Sequence, residues 1–262
     1  MNGIKPREAA ALGDGVVLVP ASCRPAPDDI IAKSKSEIDI GVACIFLRSV
    51  SACFHIIADT PRDLAARAWN AQWDAVLLGA LHDCEVGWAF QSNMPPEEFS
   101  KASEFHITNY QFRGLNMGKV KQITPKEHRW IVTHYSKAKK LMDDDRYCDA
   151  VHSLSSYRWH SMPRAQLALL WSGIEGLFGV DQELSFRLSL YIARYLSPRR
   201  GHRQQAIFDS TKKLYVTRSK AVHGGKIKNP HESVKESVKV LRQLVLKCAE
   251  KEGLPNTDGL AP

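Results

Sequence analysis

Arg218, Ser219 and His223 stand close together in the run Arg218-Ser219-Lys220-Ala221-Val222-His223-Gly224-Gly225. Arginine keeps its charge near neutral pH, and its planar fork matches a phosphate. Histidine has the unperturbed pKa nearest neutrality, so it can both take and give protons. A phosphate clamp beside a proton-transfer group is the minimal equipment for cleaving RNA without a metal. That chemistry needs the 2′-hydroxyl deprotonated, the phosphorane charge met and the 5′-oxygen protonated as it leaves. His223 is the candidate acid or base. Arg218 would grip the scissile phosphate. Ser219 would donate to a phosphate oxygen or orient His223.

Spacing limits how these residues can cooperate. On a helix Ser219 and His223, four apart, share a face. Arg218 and His223, five apart, diverge by about 140°. Convergence on one phosphate therefore requires a frayed helix end, a long arginine reach or a second subunit. Gly224-Gly225 suits a helix end. A second reading makes His223 a helix C-cap that meets the helix dipole. Arg218 has an alternative partner in Glu175, the lone carboxylate of the apolar run Leu170–Phe178, because a charge is expensive to bury unpaired. Glu175 would then order the site. Tyr215 reads as packing in support of it. Lys212, Lys213, Lys220, Lys226 and Lys228 flank the motif, and Arg199, Arg200 and Arg203 form a basic loop. These are candidate RNA contacts, or simply a solvated face.

The charge distribution agrees with a polyanionic ligand. The 262-residue chain carries a formal net charge of +8. Residues 1–118 hold 10 Lys and Arg against 14 Asp and Glu, a balance of −4; residues 119–262 hold 26 against 14, a balance of +12. The basic excess thus belongs to the half that carries the motif, and such an excess attracts phosphate polyanions. Six scattered cysteines with no C-x-x-C pair predict reduced, mostly buried thiols and a cytoplasmic location. No signal-peptide pattern opens the chain, and no apolar run approaches the roughly 18 residues of a membrane helix. No zinc-ligand spacing, P-loop or G-x-S-x-G elbow occurs, so no metal and no cofactor are expected.

The elements that must position the motif are largely helical. Residues 1–36 read as a weakly structured segment with one short strand at Val16–Val19. Residues 37–118 read as an α+β domain of unassigned role. Its strands are expected at Ile38–Leu47, Ala52–Ala58, Val86–Phe90 and Phe105–Phe112, around a helix capped by Thr60 and running to about Cys84. Leu64, Ala68, Trp69, Ala75, Leu78 and Leu81 share the apolar face of that helix, and Trp69 and Trp73 read as core. Residues 119–252 read as helices: a capped one from Thr124 to about Met142, then Arg146–Trp159, Pro163–Phe178, Glu183–Leu196, Ala206–Val222 and Pro230–Glu252. In the last, Val234, Val238, Leu241, Leu244 and Val245 face inward. Residues 253–262 read as a loose tail. The fold class is therefore α+β, a small α+β domain followed by an all-α bundle.

At this point the helical half resembles the HEPN domain, most closely the Apea-like HEPN subgroup. The apolar helix around Glu175, the Phe186-Arg187…Arg194-Tyr195 helix and the Tyr215…Arg218-Ser219…His223-Gly224-Gly225 segment carry the resemblance in the family's order. Arg218, Ser219 and His223 fill the places of its arginine, polar residue and histidine; serine is a milder group than the Asn, Asp or His often found there. The likeness covers about half the chain and leaves residues 1–118 unexplained. It implies an all-α HEPN-type bundle that homodimerises, bringing two Arg/His motifs into one basic cleft. It implies a metal-independent endoribonuclease acting on RNA, tRNA among the candidates, in a toxin-like or anti-phage defence role. An antitoxin or regulatory partner would restrain it, and the N-terminal domain would recognise a trigger, substrate or regulator. The alternative it leaves open is a non-catalytic module for dimerisation or nucleotide or RNA binding.

Overall fold

The computed structural model describes residues 1–21, 26, 28, 31–32, 36–47, 49–88, 90–94, 104–108, 119–180 and 184–261. The chain is α+β, and it divides into two compact units, residues 1–136 and 137–262. Among the described residues no helix is long and apolar enough to cross a membrane.

The first unit is built around short strands and one long helix. Strands β1 (Ile4–Lys5), β2 (Ala10–Gly13) and β3 (Val16–Pro20) come from the segment expected to be weakly structured. Ile4, Leu12 and Leu18 are fully buried, so residues 4–20 belong to the core rather than to a loose lead. The alternation in β2 and β3 is too short to stand out by itself. Helix α1 (Glu37–Leu47) follows, and β4 (Ala52–Ile56) completes an antiparallel sheet in the order β2-β3-β4.

Helix α1 corrects the strand expected at Ile38–Leu47. A short apolar run does not distinguish strand from helix by period. Here the cap decides: the Asp39 N–H donates to Ser36 Oγ at 3.1 Å, and Glu37 and Asp39 sit in the first turn, where acidic groups favour the helix.

Helix α2 (Pro61–His82) starts as expected, with the Asp63 N–H donating to Thr60 Oγ1 at 3.1 Å. Its buried side runs through Ala71, Asp74, Ala75, Leu78 and Leu81. Trp69 and Trp73 lie about 200° around from Ala71 and are 72% and 47% exposed, so neither is core. Leu64 is exposed as well. Strands β5 (Phe90–Ser92) and β6 (Phe105–Ile107) pair antiparallel, and β7 (Lys121–Gln122) pairs parallel with β1. Strand β5 meets the strand expected at Val86–Phe90 only at Phe90, β6 begins where the strand at Phe105–Phe112 was expected, and β7 was not expected. Residues 95–103 and 109–118, which include Pro95-Pro96 and the end of the last expected strand, lie outside the described residues.

Helix α3 (Pro125–Leu141) opens with the expected capping box. Thr124 N–H donates to Glu127 Oε2 at 2.9 Å, and Glu127 N–H donates to Thr124 Oγ1 at 3.2 Å. Tyr135 Oη donates to Oδ1 of the buried Asp74 at 2.8 Å. Most of α3 belongs to the first unit; the second takes its last residues, from Lys137, and then α4 (Asp145–Ser156), a 3-10 turn (Tyr157–Trp159), α5 (Pro163–Phe178), α6 (Leu184–Leu196), α7 (His202–Val222) and α8 (Pro230–Lys251). Helix α5 is central, packing on α4, α7 and α8. Its Gly173 permits the approach of α4, since a Cβ there would meet Ser153 Cβ and Oγ at 3.0 Å. Leu167, Leu170, Trp171, Ile174 and Leu177 of α5 and Val234, Val238, Leu241, Leu244 and Val245 of α8 are buried.

Two further expectations change. Residues 253–261 are not a loose tail: Asp258–Leu260 form a 3-10 turn, and Arg194 of α6 donates to the carbonyls of Leu260 and Ala261 at 2.7 and 2.5 Å. The thiols are less buried than expected. Cys84 and Cys248 are buried, whereas Cys44, Cys53 and Cys148 are partly exposed, and none of these five forms a disulfide; Cys23 lies outside the described residues.

Glu127 gives the first unit a testable pH dependence. His82, then Lys121 and the Thr124 N–H and hydroxyl, hold its carboxyl well below the usual carboxylate range. Its folded pKa lies below the unfolded value, so its stabilisation is complete above the ordinary 4.5 and is lost as pH falls through the folded value. Glu127→Gln should lower the thermal midpoint at pH 7, and calorimetry should show that deficit shrinking as the pH drops below 4.5.

Candidate functional site

Helices α5 and α7 place the two charges expected to pair. Arg218 Nη2 donates to Glu175 Oε2 at 2.9 Å, and each side chain is about 20% exposed. The pair stands on an aromatic base. The Tyr215 ring lies 5.7 Å from the Arg218 guanidinium carbon and meets Trp171 edge-on at 5.4 Å. Trp171 is fully buried and donates from Nε1 to Ser237 Oγ of α8 at 3.0 Å. Three helices thus fix the orientation of one guanidinium.

The pairing is incomplete. Glu175 Oε1 and Arg218 Nε are both buried without a hydrogen-bond partner among the described residues. Burial pushes the Glu175 carboxyl above its ordinary pKa, and Arg218 pulls against that shift. Burial also raises the Tyr215 hydroxyl, with Glu175 adding to the effect and Arg218 opposing it.

The other motif residues sit at the end of α7. Ser219 is half-buried, and its carbonyl accepts the His223 N–H at 3.0 Å. His223 is the C-cap, with φ −92° and ψ 17°, and its side chain is exposed. Among the described residues its ring has no hydrogen-bond or ion-pair partner. Gly224 then reverses the chain at φ 77°, a conformation that favours glycine. Arg218 therefore faces α5 while His223 faces solvent, and they do not converge on one another within the chain.

The basic residues separate into two groups. Lys220 is exposed beside the motif, and Lys212 and Lys213 are exposed about two turns earlier on α7. Lys212 Nζ lies 5.8 Å from the Phe208 ring centre. Arg199, Arg200 and Arg203 are exposed at the opposite end of α7. At 1.5 Å per residue they lie about 30 Å from His223, so they cannot share its phosphate within one chain. Among the described residues no three His, Cys, Asp or Glu side chains gather as metal ligands would.

One participant was not visible in the sequence. Arg164, in the first turn of α5, donates from Nη1 to the carbonyls of Lys220 and Ala221 at 3.2 and 3.0 Å, and from Nη2 to the Gly225 carbonyl at 2.6 Å. The only local signal was an arginine after Pro163, where a helix start ordinarily favours acidic groups. Compared with known proteins, the chain matches no family model, no curated protein and no solved structure.

The ion pair makes a stability prediction. The Glu175 pKa is raised in the folded state, so its ionised form opposes folding at higher pH and protonation relieves that opposition as pH falls. Arg218→Ala removes the counter-charge and should cost about 1–3 kcal/mol at pH 8. Urea unfolding should show a smaller loss at pH 5, and adding Glu175→Gln should restore much of the pH 8 stability. A loss independent of pH would place its origin elsewhere.

Proposed function

We propose that this protein is a metal-independent endoribonuclease of HEPN type, acting in a toxin-like or anti-phage defence role. One observation carries the reading: a guanidinium braced by Glu175 and Tyr215 stands five residues before an exposed histidine at the helix end. Nη2 of Arg218 is engaged by Glu175, which leaves Nη1 for a phosphate oxygen. The −4 and +12 charge balances of the two halves support RNA, tRNA among the candidates, as the polyanion drawn to the second unit.

The reaction is a transesterification. A base takes the proton of the 2′-hydroxyl, the 2′-oxygen attacks phosphorus, and the 5′-oxygen leaves with a proton from an acid. The products are a 2′,3′-cyclic phosphate and a 5′-hydroxyl. Two His223 side chains, one from each subunit of a homodimer, would divide the acid and base roles. Arg218 would meet the charge that grows on the phosphorane. Exposed Val216, before the motif on α7, and Val222, within it, at 45% and 49%, support burial against a second copy. An antitoxin or other regulatory partner would hold the enzyme in check in a cytoplasmic setting.

A second reading has its own support. Arg218 already answers Glu175, and no side chain orients the His223 ring among the described residues. That arrangement also suits a non-catalytic module for dimerisation or for nucleotide or RNA binding.

Purified protein in EDTA, given total tRNA and a mixed-sequence RNA, separates the two. Wild type should release fragments ending in cyclic phosphate. His223→Ala should slow cleavage by about 100-fold or more, and Arg218→Ala should do so comparably. RNA binding by a folded dimer without fragments would establish the binding module instead.

A further inference from the structure

We propose that Arg164 is a positioning residue of this site: its fork clasps both sides of the turn that carries His223. The activity part of the proposal rests on the nuclease reading above; the conformational part does not.

The carbonyls of Lys220 and Ala221 are among the last of α7 and have no intrahelical N–H to receive. They also form the negative end of the helix dipole. Arg164 Nη1 supplies both, at 3.2 and 3.0 Å. Its Nη2 reaches past the turn to the Gly225 carbonyl at 2.6 Å. One planar group therefore ties the last turn of α7 to the chain that leaves it.

What lies between those ties is His223-Gly224. The His223 backbone N–H holds Ser219, but its exposed ring is held by nothing else described. Gly224 has φ 77°, and glycine at that conformation has many alternatives. The turn is also close: a Cβ on Gly225 would meet Lys220 Cβ at 3.2 Å. Without the fork, three carbonyls turn to water and the glycine pair swings freely. His223 then keeps its chemistry but loses its place. A lysine at 164 carries the charge but lacks the planar two-nitrogen span, so it does not reproduce the clasp.

The test uses the full chain with Arg164→Ala and Arg164→Lys. Three readouts are taken: kcat and KM on a short RNA in EDTA, the His223 ring resonances assigned through His223→Ala, and amide exchange at Gly224 and Gly225. Both variants should lose about 100-fold in kcat, as expected when a reacting group is misplaced by about 1 Å. KM should move less than about threefold. Exchange at Gly224 and Gly225 should quicken and the His223 resonances should shift. Guanidinium at millimolar concentration should restore part of the Arg164→Ala rate. A purely stabilising role would lower the thermal midpoint and leave kcat and the His223 resonances unchanged, which would overturn the proposal. If wild type cleaves nothing, the nuclease reading fails while resonances and exchange still decide the clasp: unchanged signals refute it and altered ones uphold it. Should Arg164→Ala not fold, Arg164→Lys carries the same comparison.

Discussion

A carboxylate inside a helical core must be answered, and in this protein Arg218 answers Glu175. Two charges taken largely out of water are costly unless they meet at hydrogen-bond distance. Their 2.9 Å contact joins α5 to α7, and the aromatic layer of Tyr215 and Trp171 completes the junction. The compensation is partial, since Glu175 Oε1 and Arg218 Nε are buried without partners among the described residues. Native structures rarely leave such atoms unsatisfied without a reason. A guanidinium only donates, so an oxygen acceptor is the kind of group that would complete it.

The end of α7 follows a different logic. Its last carbonyls meet a guanidinium from the start of α5 rather than a side chain of their own helix. Pairs formed across elements in this way give a flexible glycine turn one conformation, which a Gly-Gly sequence alone does not specify. Binding and proton-transfer groups commonly sit on such irregular segments, held by a rigid scaffold. Here the scaffold is the α5–α7 packing, with Gly173 letting α4 close on its other side.

Helices α3 to α8 were legible because several local rules agreed. Pro163 and Pro230 mark starts, Thr124 and Glu127 form a box, and apolar spacing identifies buried faces in α5 and α8. The first unit was harder. Ile38–Leu47 carries β-branched residues yet folds as a helix, because the Ser36 cap and an acidic first turn outweigh a weak period. Residues 4–20 form strands whose apolar alternation is too short to read without their partners. Trp69 and Trp73 share a stripe that only the neighbouring elements reveal to be the outer one.

For the site, residue types and spacing determined the chemistry on offer: Arg218 for an anion, His223 for a proton, Glu175 as a charge in need of a counterpart. They also implied that Arg218 and His223 diverge on an ideal helix, which turns about 100° per residue, while leaving open a frayed end or a second subunit that would bring them together. Tertiary structure decided which groups actually meet. Arg218 faces Glu175 and Tyr215, Arg199 and Arg200 lie before the far end of α7 with Arg203 in its first turn rather than in a loop, and Arg164 holds the glycine turn. Sequence periodicity reports how one element presents its side chains. Hydrogen bonds between residues 43 to 61 positions apart depend on how elements pack, and no local pattern encodes that.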